Sequence, residues 1–253
     1  MKFEEIEALM RRNESLSEQY ILPENFIIAR LDGKGFTKLT KEKLSLEKPF
    51  DQKFSQIMID TTKYLFNVGF KVIYGYTQSD EISLLIHKED NTFNRKIRKI
   101  NSVLAGEASA FFSLKFQEIC VLDCRAIAIP NQEMLLDYFC WRQEDSHRNS
   151  LSAHCYWTLR KNGFNAKQTT EKVEKMSQSD KNELLFQYGI NYNNLPLWQK
   201  RGVGIINKEM KKEGLNPITK EPVAYLRNEL FVENELPTRE SYRTFLKEIF
   251  EKI

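Results

Sequence analysis

Two acids stand where acids are costly. Asp32 follows the run "FIIARL", in which five of six residues are apolar, and "FIIARLDGKGF" then continues through two glycines and a lysine. Asp80 sits in "TQSDE", between two further apolar runs. Taken singly, the first reads as an Asp-Gly turn and the second as a solvated hairpin tip. Side by side they would be something else. Two carboxylates about 4 Å apart repel by roughly 4 kcal/mol at an effective dielectric near 20, so such a pair shares a proton or holds cations. Magnesium is the natural occupant, because it takes one or two carboxylates and keeps its other positions for water and substrate phosphates. Asp32, Asp80 and the carbonyl of Gly33, where the chain is free to turn, are a fitting ligand set. Two such ions roughly 3.5 to 4 Å apart would clamp a phosphoryl group.

What must bring the acids together is the order of elements. Residues 26–32 form a first strand by their apolar, β-branched run. Phe54, Ile57, Met58, Leu65 and Phe66 recur at helical spacing from 51 to 68, with Gly69 as the stop. "FKVIYGY" (70–76) and "ISLLIH" (82–87) read as a hairpin. A long helix near 94–115 places Ile97, Ile100, Leu104 and Phe112 on one face, and "DCRAIAIP" supplies a fourth strand. This β-α-β-β-α-β order is the ferredoxin-like unit of an α+β fold. Its strands lie 4-1-3-2, so the end of the first strand meets the start of the third, and Asp32 meets Asp80. Residues 1–130 therefore read as this unit with an N-terminal helix. Residues 131–253 read as a mainly helical region packed on it, with helices at 131–145 and 146–161, a capped helix from about Ser179, and "NPITKEP" as a loop.

Basic groups surround the acids in sequence. "FNRKIRKI" opens the second long helix with Arg95, Lys96, Arg98 and Lys99, where free amides and the helix dipole already favour phosphate. Cations there oppose the dipole, so their placement points to an anionic partner. Lys34, Lys48 and Arg125 add to the same field. The 253 residues are 41% hydrophobic, enough for a full core. Thirty-eight basic against 35 acidic residues leaves only +3, too mild to define a nucleic-acid binder by charge alone. No run reaches the roughly 18 apolar residues of a membrane span, and the acidic, amphipathic N-terminus is unlike a signal peptide. A cytoplasmic protein is expected. Four scattered cysteines make no disulfide framework, and "CVLDC" lacks the tight turn of a zinc site.

The motifs "RLDGKGF", "KP" (48–49), "YGYTQSDEISLL", "FNRKIRKINS", "DCRAIAIP", "WRQEDSHRNS" and "SDKNELLFQYGINYN", in this order, resemble the tRNA-His guanylyltransferases and related 3′-to-5′ RNA polymerases. The resemblance implies a palm like that of polymerases and nucleotide cyclases, with magnesium on Asp32, the Gly33 carbonyl and Asp80, and with Glu81 beside them as a third catalytic acid. It implies that ATP or GTP activates a tRNA 5′ end, which the 3′-hydroxyl of an incoming nucleotide then attacks. It further implies triphosphate contacts from Arg30, Lys48, Ser79 and Lys99, with Lys34, Gly35 and Phe36 of the first motif in the nucleotide site. Arg95, Lys96, Arg125, His147, Asn149, Lys181 and Asn182 would lie toward tRNA or the activating nucleotide. Relatives are usually homotetramers, dimers of dimers. Where eukaryotic members carry His-Ile-Asn-Asn, this chain reads His147, Arg148, Asn149, Ser150. That variation resembles the branch that extends 5′-truncated tRNAs by templating.

Two other readings use the same unit. A non-catalytic RNA-binding module would stack bases on aromatics of its central strands, but "ISLLIH" is aliphatic. A nucleotide cyclase would use the same carboxylates and would leave the region after Pro130 without an obvious use.

Overall fold

The computed structural model describes residues 2–36, 39, 46–215 and 220–251, Tyr225 by its backbone alone. Six strands form one antiparallel sheet in the order β4-β1-β3-β2-β5-β6: β1 Phe26–Gly33, β2 Val72–Gln78, β3 Glu81–Ile86, β4 Leu122–Ile129, β5 Val203–Leu215 and β6 Pro222–Glu233. The first four strands lie 4-1-3-2, as their sequence order predicts.

Alternation along β1 sends Ile27, Ala29 and Leu31 to one face and Ile28, Arg30 and Asp32 to the other. The odd face meets α2 (Gln52–Leu65) and α3 (Ile97–Phe116) in a core that also takes Ile82, Leu84 and Ile86. The even face packs Ile28, Leu85, Tyr74 and Tyr76 against α4 (Gln132–Lys161) and α8 (Glu240–Phe250). The second half of α4 builds a satellite core with α5 (Ala166–Glu174) and α6 (Gln178–Gln187) through Leu151, Cys155, Leu159, Val173 and Leu185. Short helix α7 (Leu197–Arg201) leads into β5, and α1 (Phe3–Ser15) precedes the sheet without a buried residue.

Four expectations are corrected. The two helices read at 131–145 and 146–161 are one helix of 30 residues, capped by the Asn131 side chain on the Met134 amide at 2.9 Å. Asp145, Ser146 and Asn149 resemble a helix start but are interior residues whose polar side chains line a cleft. The helix expected from 94 begins at Ile97, after a 3-10 turn (Thr92–Arg95) in which Phe93, Asn94 and Arg95 hold positive φ. The C-terminal region carries a long hairpin, β5–β6, that helical periodicity does not reveal. Only Val203 to Ile206 pair with β2; beyond them the ribbon is largely exposed, so no alternating apolar pattern is needed. The capped helix is α6, whose N-cap is Ser177 rather than Ser179. Most of the "NPITKEP" loop lies outside the described residues.

Candidate active site

On the face beneath α4, each central strand changes character along its length. β1 runs Ile28, Arg30, Asp32, and β3, read toward its start, runs Leu85, Ser83, Glu81. Apolar pairs bind the helix at one end, and polar and charged residues meet it further along, Ser83 through Tyr138 and Glu81 through Arg142. Register places Asp123 of β4, Asp32 and Glu81 in a row across three strands, with Arg125 beside Arg30 in the next row. Asp80 comes from the adjoining turn. β2 and β3 are joined by two residues, Ser79 and Asp80, since Gln78 still pairs with Glu81. Ser79 has φ 49, the left-handed conformation that such tight hairpins require.

Backbone fixes the distance between the two acidic loops. The Gly33 amide donates to the Asp80 carbonyl at 3.1 Å, and the Lys34 amide to the Val121 carbonyl at 2.8 Å. Gly33 has a further role that the sequence did not suggest. A Cβ there would lie 2.5 Å from the ring of Phe36, which packs against it. The positive φ of this turn belongs to Gly35. Phe36, expected to touch nucleotide, is 1% exposed, its ring centroid 5.3 Å from that of Phe112 and 5.9 Å from that of Phe54. It is a core residue with an edge at the cleft.

Burial pushes the Asp80 carboxyl above its ordinary pKa, and the charge of Asp32 pushes it the same way. Neither acid belongs to an ion pair among the described residues. Glu81 differs. Arg142 of α4 grips it with two hydrogen bonds, Nε to Oε1 at 2.7 Å and Nη2 to Oε2 at 2.6 Å, and Arg30 adds a third contact at 2.7 Å. Burial raises its pKa while both arginines oppose the rise. Glu81, expected as a third catalytic acid, has both its oxygens engaged by arginines and ties helix to sheet. Arg142 also reaches Asp145 at 3.2 Å. Sequence reasoning missed Arg142 and Asp145, although an arginine and an acid at i and i+3 of an otherwise buried stripe are a readable signal.

The acids open into a cleft of about 430 Å³ between the sheet, α4, α7 and the 46–51 segment. Arg30, Asp32, Lys48, Ser79, Asp80 and Asn149 all line it. Among the described residues the buried Arg30 Nε has no hydrogen-bond partner. Lys34 and Gly35 are exposed in the turn beyond β1, and Arg125 is exposed on the edge strand.

The remaining basic set is not there. Arg95 is 4% exposed, and its guanidinium donates to the carbonyls of Ile21, Leu22, Asn25, Lys88 and Asp90. It holds the N-terminal segment to the body. Lys96 pairs with Glu18 at 3.4 Å, and Lys99 lies 5.6 Å over the Phe93 ring. This cluster sits where β3 ends, at the Phe26 end of β1, about 20 Å from Asp32 at roughly 3.3 Å per residue. Chain direction could have shown it. A strand that starts beside Asp80 delivers the following helix to the opposite end of the sheet.

His147 faces away from the cleft, its ring centroid 5.4 Å from that of Tyr192, and burial lowers its pKa. Lys181 donates to Ser152 Oγ at 3.0 Å on the flank of α4. Asn182 bonds the Gln178 carbonyl within its own helix and is exposed.

Does the acid pair suit magnesium? Two partly buried carboxylates, adjacent, repelling and without a cationic partner, fit a hard divalent ion that completes its shell from water and phosphate. Among the described residues no group of three His, Cys, Asp or Glu side chains is arranged around a metal; the donors on offer at this place are the two aspartates and backbone carbonyl.

An antiparallel sheet covered by helices, with an acid pair opening into a nucleotide-sized cleft, describes a nucleotidyltransferase. Comparison with known proteins narrows the class. Residues 7–134 match the family model for tRNAHis guanylyltransferase, and residues 133–243 match that for the Thg1 C terminal domain. The chain belongs to the tRNAHis guanylyltransferase family. The tRNA(His) guanylyltransferase of Schizosaccharomyces pombe is 34% identical over 76% of this chain and 77% of its own length, and that of Debaryomyces hansenii is 31% identical over 78% and 79%. A bacterial tRNA(His) guanylyltransferase (Thg1)-like protein solved with GTP superposes with a TM-score of 0.72 at 30% identity, covering 97% of this chain and 98% of that one. The bacterial Thg1-like protein solved with ATP gives 0.77 at 28% identity, covering 96% and 98%.

Proposed function

We propose that this chain is a magnesium-dependent, palm-type 3′-to-5′ nucleotidyltransferase acting on tRNA 5′ ends. The observation that carries the reading is the pair Asp32 and Asp80, held by backbone at the mouth of the cleft and without an ion-pair partner among the described residues.

Asp32, Asp80 and the Gly33 carbonyl would hold the metal, which when bound neutralises triphosphate charge and polarises the phosphate under attack. The chain's own groups do the rest. Arg30 has an unfilled donor at the cleft for a phosphate oxygen, and Lys48 and Ser79 flank the same space. In the activation step the tRNA 5′-phosphate attacks the α-phosphate of ATP or GTP and diphosphate leaves. The 3′-hydroxyl of the incoming nucleotide then attacks the activated 5′-phosphate, and the nucleoside monophosphate leaves. Glu81 and Arg142 keep α4 seated over Arg30 throughout, so that these groups are in place before substrate arrives.

Lys96 and Lys99 reach no phosphate in the cleft of their own chain. The homotetramer expected of the family accommodates them, one copy presenting the basic start of α3 to the cleft of another. His147 of α4 and Lys181 and Asn182 of α6 lie outside the cleft lining, a position suited to the tRNA body. Arg148 and Ser150, in place of the usual Ile-Asn, favour templated extension of 5′-truncated tRNA over untemplated addition to tRNA-His, with the cytoplasm as the site of action.

The test is incorporation of labelled GTP opposite a templating C in 5′-truncated tRNA, beside full-length tRNA-His. Label in the truncated substrate, dependent on magnesium and lost in Asp32→Ala, is expected. Undiminished label in that variant, or cyclic nucleotide formed without RNA, would count against the reading.

A further inference from the structure

Outside the cleft, α4 carries two large side chains that the carboxylate chemistry does not use. Trp141 is 50% exposed, and the Arg148 side chain is 55% exposed. They stand seven residues apart, about two turns, and so share one stripe of the helix. Neither lines the cleft, but Arg142 and Asp145, which hold them, do. The Arg142 guanidinium lies 4.6 Å from the centre of the Trp141 ring, and Tyr138 meets the indole edge to face with centroids 5.9 Å apart. Asp145, one turn from each, pairs with Arg142 at 3.2 Å and accepts from Arg148 Nη2 at 3.1 Å. Arg142 in turn is bonded twice to Glu81.

Tryptophan is highly buried on average, yet this one is fixed by a guanidinium and a phenol ring with half its surface left to solvent. Among the described residues Arg148 gives only Nη2, to Asp145, which leaves the other donors of its fork open. Nearby acids do not cancel it: Arg243 holds Glu133 and Asp137, and the charge of Glu144 acts on His147. An open aromatic face and an open guanidinium are thus mounted about 10 Å apart on a rigid rod, at 1.5 Å per residue. A polynucleotide fits this pair, one base stacking on the ring and a backbone phosphate meeting the fork. At about 3.4 Å of rise per nucleotide the interval covers roughly three nucleotides, more than a free nucleotide can bridge. Bases inside a duplex stack on one another and offer no face, so the strand that docks here is unpaired.

We propose that Trp141 and Arg148 form a docking platform for the unpaired RNA strand that faces the 5′ end under extension. Trp141 stacks one of its bases, and Arg148 holds a phosphate further along the strand. Asp145 is the positioning residue that ties this platform to Arg142, and so to the wall of the cleft. The platform rests on the reading of the chain as a templated 3′-to-5′ nucleotidyltransferase, and it locates the template strand on the outer stripe of α4.

The test is binding of two labelled hairpin RNAs to the full chain, read by fluorescence anisotropy. The RNAs share one stem, and only one carries a 3′ overhang of about four nucleotides, long enough to span the two groups. The wild type should bind the overhang RNA about tenfold tighter than the blunt one. Trp141→Ala and, separately, Arg148→Gln should each remove most of that advantage. Arg148→Gln should also reduce the slope of log affinity against log salt by about 0.7, a change that Trp141→Ala should not produce. Because Trp141 also packs on Arg142, the second variant keeps the result independent of that contact. No preference for the overhang in the wild type, or an undiminished preference in both variants, overturns the platform. So does a loss of affinity for the blunt RNA as large as that for the overhang RNA. A wild type that prefers the overhang yet adds no nucleotide would instead sink the proposed reaction and leave the platform standing.

Discussion

The two ends of the sheet hold charge in opposite ways. At one end Arg95 is buried and satisfied five times over by carbonyls of two chain segments, 21–25 and 88–90. At the other, Asp32 and Asp80 are partly buried and held close by backbone, with no ion-pair partner among the described residues. Both ends cost desolvation. Among the described residues only the first is compensated. A buried charge whose partners are all present does structural work, and a charge pair that the fold confines without partners awaits a ligand. Residue type does not separate these cases, since "FNRKIRKI" looked more like a phosphate site than "QSDE" did.

Substitution should break the contrast cleanly. Asp32→Ala or Asp80→Ala should lower nucleotide addition by about a thousandfold or more, equivalent to roughly 4 kcal/mol of transition-state stabilisation, with no loss of melting temperature. Arg95→Met should do the reverse. Leaving five carbonyls unpaired should cost about 3 kcal/mol or more and lower Tm by about 10 °C, while residual folded protein keeps its activity per molecule. Loss of activity in Arg95→Met beyond the loss of folded protein would put it back among the functional groups.

Arg142 joins the two behaviours, since it is satisfied by Glu81 and also lines the cleft. Arg142→Ala should lower activity about 10- to 100-fold, as removal of a group that orients site residues commonly does, and it should destabilise as well. Arg142→Lys should recover stability more than activity, because one ammonium cannot reproduce the two-point grip.

A sharper version uses pH. The folded pKa of Asp80 is raised above its unfolded value, so folding takes up a proton there. Its favourable contribution is present at low pH and is lost as pH rises through the raised value. Without metal, Asp80→Asn should therefore raise Tm at neutral pH, and the gain should shrink on acidification. Magnesium should stabilise the wild type most where Asp80 is ionised and progressively less as pH falls. Thermal shift against pH, with and without magnesium, reads both effects. The smallest expected signal concerns Lys99. Lys99→Ala alone should lose activity with unchanged Tm, and mixing it with Asp32→Ala should restore a measurable fraction if one copy serves the cleft of another.

Much of the acid end was legible in the sequence. Strand periodicity, a two-residue turn and the β-α-β-β-α-β order are local signals, and together they place Asp32 beside Asp80. What escaped depended on distance along the chain or on satisfaction. Whether Arg95 faces solvent or carbonyls is decided by residues 21–25, which carry no motif. The family resemblance put Glu81 beside the acid pair, and only α4, some sixty residues on, supplies the arginine that occupies it. The polar stripe of α4 imitated a helix boundary because a helix lining a cleft shows polar residues on the face where a core helix shows apolar ones. The β5–β6 ribbon left no alternating signature because most of it packs on nothing.

The unbroken course of α4 also acts as a ruler. From Asp145, near the acids, to Trp157 the helix advances about 18 Å at 1.5 Å per residue, with no loop between them to stretch or fold. One residue inserted in that interval would swing everything beyond it by about 100° and turn Trp157 off the cleft, whereas the same insertion after Lys161 would meet only a connecting turn. Homologues that accept longer or shorter substrates are thus expected to differ in the walls facing this rod and not in its length.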